Sequence, residues 1–106
     1  MGGKVLIVDD VATNRIVMKV KLTAAGYHPM VAADAAGCLA FARSESPDLI
    51  LLDFVLPDMS GPEVLRRLRA DPVTQHIPVV VFSASQSVED RIEAFRAGAD
   101  EFLVKP

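Results

Sequence analysis

Leu49–Asp53 has the sequence LILLD, four apolar residues that run directly into a carboxylate. A run without polar alternation is typical of a strand that is buried on both faces, as in a parallel sheet. Three other runs have the same form and also end on polar residues: Val5–Val8 before Asp9 and Asp10, Val79–Phe82 before Ser83, and Phe102–Val104 before Lys105. These runs predict a sheet whose strands lead into chemically active side chains.

Helical patterns separate the apolar runs. A first helix has apolar residues at helical spacing and stops at Gly26. Three later helices begin at residues that can cap an N-terminus: Asp34, Ser60 and Ser87. The last of these helices places Val88, Ile92 and Phe95 on one face, as amphipathic helices do. With a further strand at His28–Val31, the alternation predicts an α/β fold with a doubly wound, five-stranded parallel sheet.

Composition limits the classes of protein that the chain can belong to. At 106 residues, with 51% hydrophobic residues and a net charge of −3, it is long enough for one domain and too apolar for disorder. We expect the lone Cys38 to be a buried structural thiol. The basic residues Arg66, Arg67 and Arg69 share a helical pattern with acidic neighbours, so we expect no direct nucleic-acid binding.

No apolar stretch approaches 18 residues, and no signal-peptide architecture is present. These observations predict a cytoplasmic protein without a membrane segment.

The polar residues that follow the strands form a candidate site. Ligands of open parallel sheets bind beyond the carboxyl ends of the strands, so these residues should converge. They are Asp9, Asp10, Asp53, Ser83 and Lys105. Carboxylates offer hard oxygen ligands that suit Mg²⁺, or Mn²⁺ as an alternative, and the lysine can neutralise an anion beside them.

In this order and at these separations, the motifs resemble those of receiver domains of two-component response regulators. The resemblance covers essentially the whole chain and rests on Val5–Asp10, Leu51–Asp53, Ser83–Ala84 and Lys105–Pro106. It implies a CheY-like, flavodoxin-like strand order of 2-1-3-4-5. The overall amino-acid sequence is most similar to those of receivers that precede diguanylate cyclase domains. We expect residues 1–106 to be one receiver domain, truncated after the fifth strand and lacking a fifth helix.

The resemblance implies the chemistry of phosphorylation. Asp53 would attack a phosphohistidine donor and hold the phosphoryl group as an acyl phosphate. Asp10 would coordinate Mg²⁺ directly, Asp9 would bind it through water, and the backbone carbonyl of Val55 would add a ligand. Lys105 would pair with the phosphate. The chain would thus be a phosphoacceptor switch that assists its own phosphotransfer, and not an enzyme acting on a separate substrate.

The resemblance also implies a conformational switch. The Ser83 hydroxyl would donate to the phosphoryl group and draw the following loop inward, so that Phe102 could rotate into the space opened. Receivers typically hold the peptide bond between Lys105 and Pro106 in cis, which aims the lysine at the site. The surface of the fourth helix and fifth strand would report the change.

Partners and phosphorylation lifetime follow from the same resemblance. The donor would be a sensor histidine kinase or a phosphotransfer protein, and the partner could be a diguanylate cyclase output domain or a second copy of the chain. Val55 and Ser85 occupy the positions that flank the hydrolytic water in this family. Valine cannot hydrogen-bond water and serine reaches only a short distance, so we expect slow self-dephosphorylation.

Two other classes of protein also bind phosphate at strand ends. A haloacid dehalogenase-like phosphatase uses a strand-end aspartate with Mg²⁺, but it normally needs a second aspartate two residues later, where this chain has Val55. A nucleotide-binding α/β module needs a glycine-rich phosphate loop or a Walker lysine after the first strand, and neither motif is present.

Overall fold

The computed structural model describes residues 2–105, and five strands alternate there with four helices. Their bounds are β1 Lys4–Val8, α1 Ala12–Ala24, β2 His28–Ala32, α2 Ala35–Glu45, β3 Leu49–Asp53, α3 Gly61–Ala70, β4 Val79–Ser83, α4 Val88–Ala97 and β5 Glu101–Val104. All neighbouring strands are parallel, in the order β2-β1-β3-β4-β5. The predicted doubly wound α/β fold and its strand order are confirmed.

Local sequence explains where the helices begin and end. Three N-cap side chains accept hydrogen bonds from amides of the first turn: Asp34 from Gly37 at 2.8 Å, Ser60 from Glu63 at 3.2 Å and Ser87 from Asp90 at 3.3 Å. Gly26 follows α1 with φ of 92° and Gly98 follows α4 with φ of 114°. These left-handed conformations favour glycine, so they stop the two helices at defined positions.

One face of the sheet, called here the packed face, is covered by α2, α3 and α4. Its core joins side chains from every strand to small and branched residues of these helices, including Leu52 of β3, Cys38 of α2, Leu68 of α3 and Ala94 of α4. All four are at most 1% exposed. Burial of this contiguous apolar surface is the main stabilising contribution of the fold.

The opposite face, called here the α1 face, is covered only in part. α1 contacts β1 and β2, and Ile7 beneath it is fully buried. Towards β5 the cover is lost, so that Leu51 is only partly buried and Leu103 is 54% exposed. No residue of α1 itself is fully buried. The two faces of one sheet therefore differ strongly in how well they are packed.

The amphipathic reading of α4 requires a correction. Val88, Ile92 and Phe95, which share a face, are all exposed. The helix packs instead through Ala94 and Ala97. Small side chains allow a helix to approach its neighbours closely, so the buried stripe is narrower and less apolar than the periodicity suggested.

Other sequence expectations concern single residues. Cys38 is fully buried, as predicted, and burial raises the pKa of its thiol from 9.0 to about 12. Arg66 and Arg67 both pair with Glu63, and Arg69 pairs with Asp100 at 3.0 Å. None of the helices within residues 2–105 combines the length and apolar character needed to cross a bilayer.

Candidate functional site

The strand ends bring the predicted polar residues to one edge of the sheet. Asp9 follows β1 beside Asp53, which ends β3, while Ser83 ends β4 and Lys105 follows β5. The Lys105 amide donates to the Ser83 carbonyl at 2.7 Å. A cavity of about 420 Å³ opens here, lined among others by Asp10, Asp53, Val55, Ser83, Ser85, Asp90 and Lys105. Residues that are distant in sequence thus share one site.

Three carboxylates form a compact cluster in this site. Ligand oxygens of Asp9, Asp10 and Asp53 all lie within 4.8 Å of one another. Asp9 and Asp53 are buried, and Asp10 is exposed at the mouth. Three hard oxygen donors that face one point, with one side open to solvent, fit Mg²⁺ or Mn²⁺ and leave room for water or phosphate oxygens.

Lys105 supplies the positive charge of the site. Its Nζ donates to Asp53 Oδ2 at 3.0 Å and lies 3.6 Å from Asp9 Oδ2. The ammonium also lies 5.0 Å from the centroid of the Phe82 ring. These contacts hold a compact cation beside the acidic cluster, where it can meet an incoming anion.

Burial raises the pKa of the Asp53 carboxyl above its ordinary value of 3.8. The hydrogen bond from Lys105 and the amide of Val55 at 3.3 Å lower this pKa, and the charge of Asp9 raises it. Because the pKa is raised on balance, keeping Asp53 ionised costs free energy in the folded protein. A divalent cation bound beside it would offset this cost.

The position of Asp9 depends on residues that sequence reasoning missed. The Val11 amide donates to Asp9 Oδ1 at 2.9 Å, and Asn14 Nδ2 donates to Asp9 Oδ2 at 3.2 Å. Arg15 Nη1 donates to the Asp9 backbone carbonyl at 2.8 Å. In the sequence, Asn14 and Arg15 have the pattern of ordinary helix-surface residues. Only the hydrogen bonds that their side chains donate to Asp9, in the preceding loop, show their role.

Asp58 is another supporting residue that the sequence did not reveal. It lies in the loop between β3 and α3, and its carboxylate accepts from the amides of Ala35 at 2.8 Å and Ala36 at 3.0 Å. The Ala35 amide is the main reason that the pKa of Asp58 is lowered, with a smaller contribution from Ala36. The loop that follows Asp53 is thereby tied to the N-terminus of α2, where a negative charge is favoured.

The residues expected to act in a switch lie close to the cavity. Ser83 is buried and its Oγ accepts from the Ser85 amide at 3.0 Å. Phe102 is 6% exposed, with its ring centroid 6.0 Å from that of Phe54 in an edge-to-face arrangement. The Arg91 guanidinium lies 5.7 Å from the Phe102 centroid. Phe102 thus occupies a buried position here, and its rotation stays a prediction.

The expected cis peptide bond between Lys105 and Pro106 lies outside the described residues.

Comparisons with known proteins agree with this geometry. The family model of the response regulator receiver domain matches residues 5–106. Response regulator PleD of Caulobacter vibrioides is 43% identical over all 106 residues, which are 23% of that protein. The phosphate regulon transcriptional regulatory protein PhoB of Pseudomonas aeruginosa is 39% identical over 106 residues, 46% of its length. The chain therefore spans 23% to 46% of the length of these curated relatives.

Solved structures give the same result. Chemotaxis protein CheY4 of Vibrio cholerae matches with a TM-score of 0.93 and 33% identity, covering 100% of this chain and 88% of the other. The Mn²⁺-bound form of response regulator Rcp1 matches with a TM-score of 0.87 and 27% identity, covering 98% and 81%. The chain belongs to the response regulator receiver domain family.

Membership of this family establishes the general role of the chain. It is a receiver domain of a two-component system, in which phosphorylation of an aspartate operates a switch. Receiver domains take part in signalling with histidine kinases and bind Mg²⁺ or Mn²⁺ at an acidic pocket. The cluster of Asp9, Asp10 and Asp53 matches such a pocket.

Proposed function

We propose that Asp53 is the phosphoacceptor of this receiver domain. The observation that carries this assignment is the hydrogen bond of 3.0 Å between its carboxylate and Lys105, formed inside the acidic cluster. Asp10 and Asp53 both belong to the cluster and line the cavity beside Ser83, and of these two Asp53 is the buried one. Its oxygen would attack the phosphorus of a phosphohistidine on a kinase or phosphotransfer protein and form an acyl phosphate, while the bond from phosphorus to the histidine nitrogen breaks and the imidazole leaves.

The surrounding residues have distinct roles in this proposal. Asp10 at the open side would hold Mg²⁺ directly, Asp9 through a water molecule, and the Val55 backbone carbonyl would complete the protein ligands. The bound ion would offset the repulsion between carboxylate and phosphoryl group. Lys105 would transfer its contact from Asp53 to a phosphoryl oxygen. The domain would act on its own aspartate, as a switch and not as an enzyme with a separate substrate.

The Ser83 hydroxyl would report the phosphoryl group to the rest of the domain. Its Oγ accepts from the Ser85 amide, so its hydrogen is free to be donated to a phosphoryl oxygen. Movement of Ser83 would pull the loop towards the site and alter the packing around Phe102 and Arg91. The α4 and β5 surface would then present a different shape to its partner.

Phosphorylation by acetyl phosphate with Mg²⁺ tests the assignment. Intact-mass measurement should show the gain of one phosphoryl group, and Asp53→Asn should abolish it. Asp10→Ala should weaken Mg²⁺ binding and phosphorylation together without loss of fold. Glu93→Gln is the charge-matched control, because Glu93 is exposed on α4 away from the cavity. Full labelling of Asp53→Asn would contradict the proposal, and rapid turnover of a phosphomonoester would indicate a phosphatase instead.

The output is proposed on narrower grounds. The similarity of the sequence to receivers that precede diguanylate cyclase domains favours control of such a domain. A homodimer is a further candidate assembly. Relatives such as PhoB are named as transcriptional regulators, so a DNA-binding output domain is the alternative. Sequencing of the gene around these codons would distinguish the two output domains.

A further inference from the structure

The cavity beside Asp53 contains a carboxylate that none of these roles uses. Asp90 lies in the first turn of α4 and lines the cavity together with Ser83, Ser85 and Lys105. It is outside the cluster of three aspartates that could hold a metal ion. A third carboxylate, besides Asp10 and Asp53, therefore lines the cavity from a different element.

Within the described part of the chain, the hydrogen bonds of the β4–α4 loop leave the Asp90 side chain without a partner. An acidic residue three positions after a serine N-cap often accepts from the N-cap amide. Here the Ser87 amide already donates to Ser85 Oγ at 3.1 Å, and Ser87 Oγ accepts from the Asp90 amide at 3.3 Å. Among residues 2–105, no hydrogen bond or ion pair involves the Asp90 carboxylate.

Other groups at the cavity are already engaged or lack the right chemistry. Asp53 pairs with Lys105, and Ser83 Oγ and Ser85 Oγ each accept a backbone amide. The Val55 side chain has no polar atom. Asp10 also lines the cavity, but it is assigned to the metal ion. Of the described residues that line the cavity, Asp90 thus offers a carboxylate with no assigned partner, whose lone pairs stay available to water.

Building on the proposed phosphorylation of Asp53, we propose that Asp90 orients the water that hydrolyses the acyl phosphate. The water oxygen forms a bond to phosphorus while the bond between phosphorus and the Asp53 oxygen breaks. Asp53 returns to its carboxylate form, and dihydrogen phosphate leaves with both water protons. Asp90 accepts a hydrogen bond from the water during the attack. This hydrogen bond orients the water so that a lone pair of the water oxygen points at phosphorus. Orientation of this kind lowers the entropic part of the barrier.

Decay of the phosphorylated protein tests the role of Asp90. The domain is loaded with acetyl phosphate, the donor is removed, and loss of the phosphoryl group is followed by mass at constant Mg²⁺. Asp90→Ala should slow this decay about fivefold to tenfold, because the water loses its orienting acceptor. Asp90→Asn keeps one carbonyl acceptor and should decay at an intermediate rate. Thermal midpoints should agree among the variants.

The control removes the same charge from the same helix. Glu93→Ala lies one turn further along α4, away from the cavity, and should decay like the wild type. Equal rates for Asp90→Ala and the wild type would overturn the role of Asp90, as would equal slowing by Glu93→Ala. Asparagine as slow as alanine would also overturn it, because charge and not orientation would then control the rate. Failure of the wild type to gain a phosphoryl group would refute the proposed function instead.

Discussion

The two faces of the sheet carry the same kinds of apolar residue but have different neighbours. On the packed face, Leu52 belongs to the core that joins the sheet to α2, α3 and α4, and it is fully buried. One position earlier in the same strand, Leu51 points to the α1 face and is only partly buried. Successive residues of a strand face opposite sides of the sheet. Comparison of Leu51 with Leu52 therefore shows the effect of coverage by helices at nearly the same position in the chain. Stability of the domain should therefore reside mainly in one face.

The largest expected effect comes from truncation on the packed face. Leu52→Ala should lower the free energy of unfolding by about 3 kcal/mol, because a filled site becomes a cavity. Leu51→Ala is the matched control and should cost about 1 kcal/mol, since part of the leucine is already in water. Urea denaturation of both variants measures the difference. Equal losses would show that the two faces contribute equally to stability.

A smaller effect should appear as a pH dependence of stability. The Cys38 thiol on the packed face has a pKa of about 12 against an ordinary 9.0, so the folded state disfavours the thiolate. Its contribution is fully present below pH 9 and is lost as pH rises towards 12, because the unfolded chain ionises first. Between pH 8 and pH 10 the wild type should lose about 1 kcal/mol more than Cys38→Ala. Parallel pH curves would contradict the burial of the thiol.

The smallest effect on stability is expected on the α1 face. Val20 is 63% exposed on α1, so Val20→Ser should change the free energy of unfolding by less than about 0.5 kcal/mol. It should nevertheless weaken self-association, because exposed apolar patches favour contacts between molecules. Sedimentation across a concentration series measures this. Val88→Ser on α4, at 65% exposure, is the control. Weaker association of that variant alone would place the contact on α4.

Much of the site could be predicted because its residues stand at the ends of apolar runs in the sequence. Asp53 and Ser83 end apolar runs, and Asp9 and Lys105 directly follow apolar runs, so the direction of the parallel strands alone places them at one edge. Asn14, Asp58 and Asp90 could not be found this way. Asn14 and Asp90 lie on helices among other polar residues, and Asp58 lies in an irregular loop. Nothing in their spacing shows which way these side chains point.

Sequence by itself determined the alternation of strands and helices, the strand order through the family resemblance, and the positions of the acidic cluster. These features depend on local periodicity and on the direction of parallel strands, and both can be inferred from short stretches of consecutive residues. Only the tertiary structure decided that Val88 and Ile92 face solvent while Ala94 is buried, and that Asp58 holds α2. Such choices depend on which elements meet in space, because burial and hydrogen bonding between distant segments are properties of the packed chain.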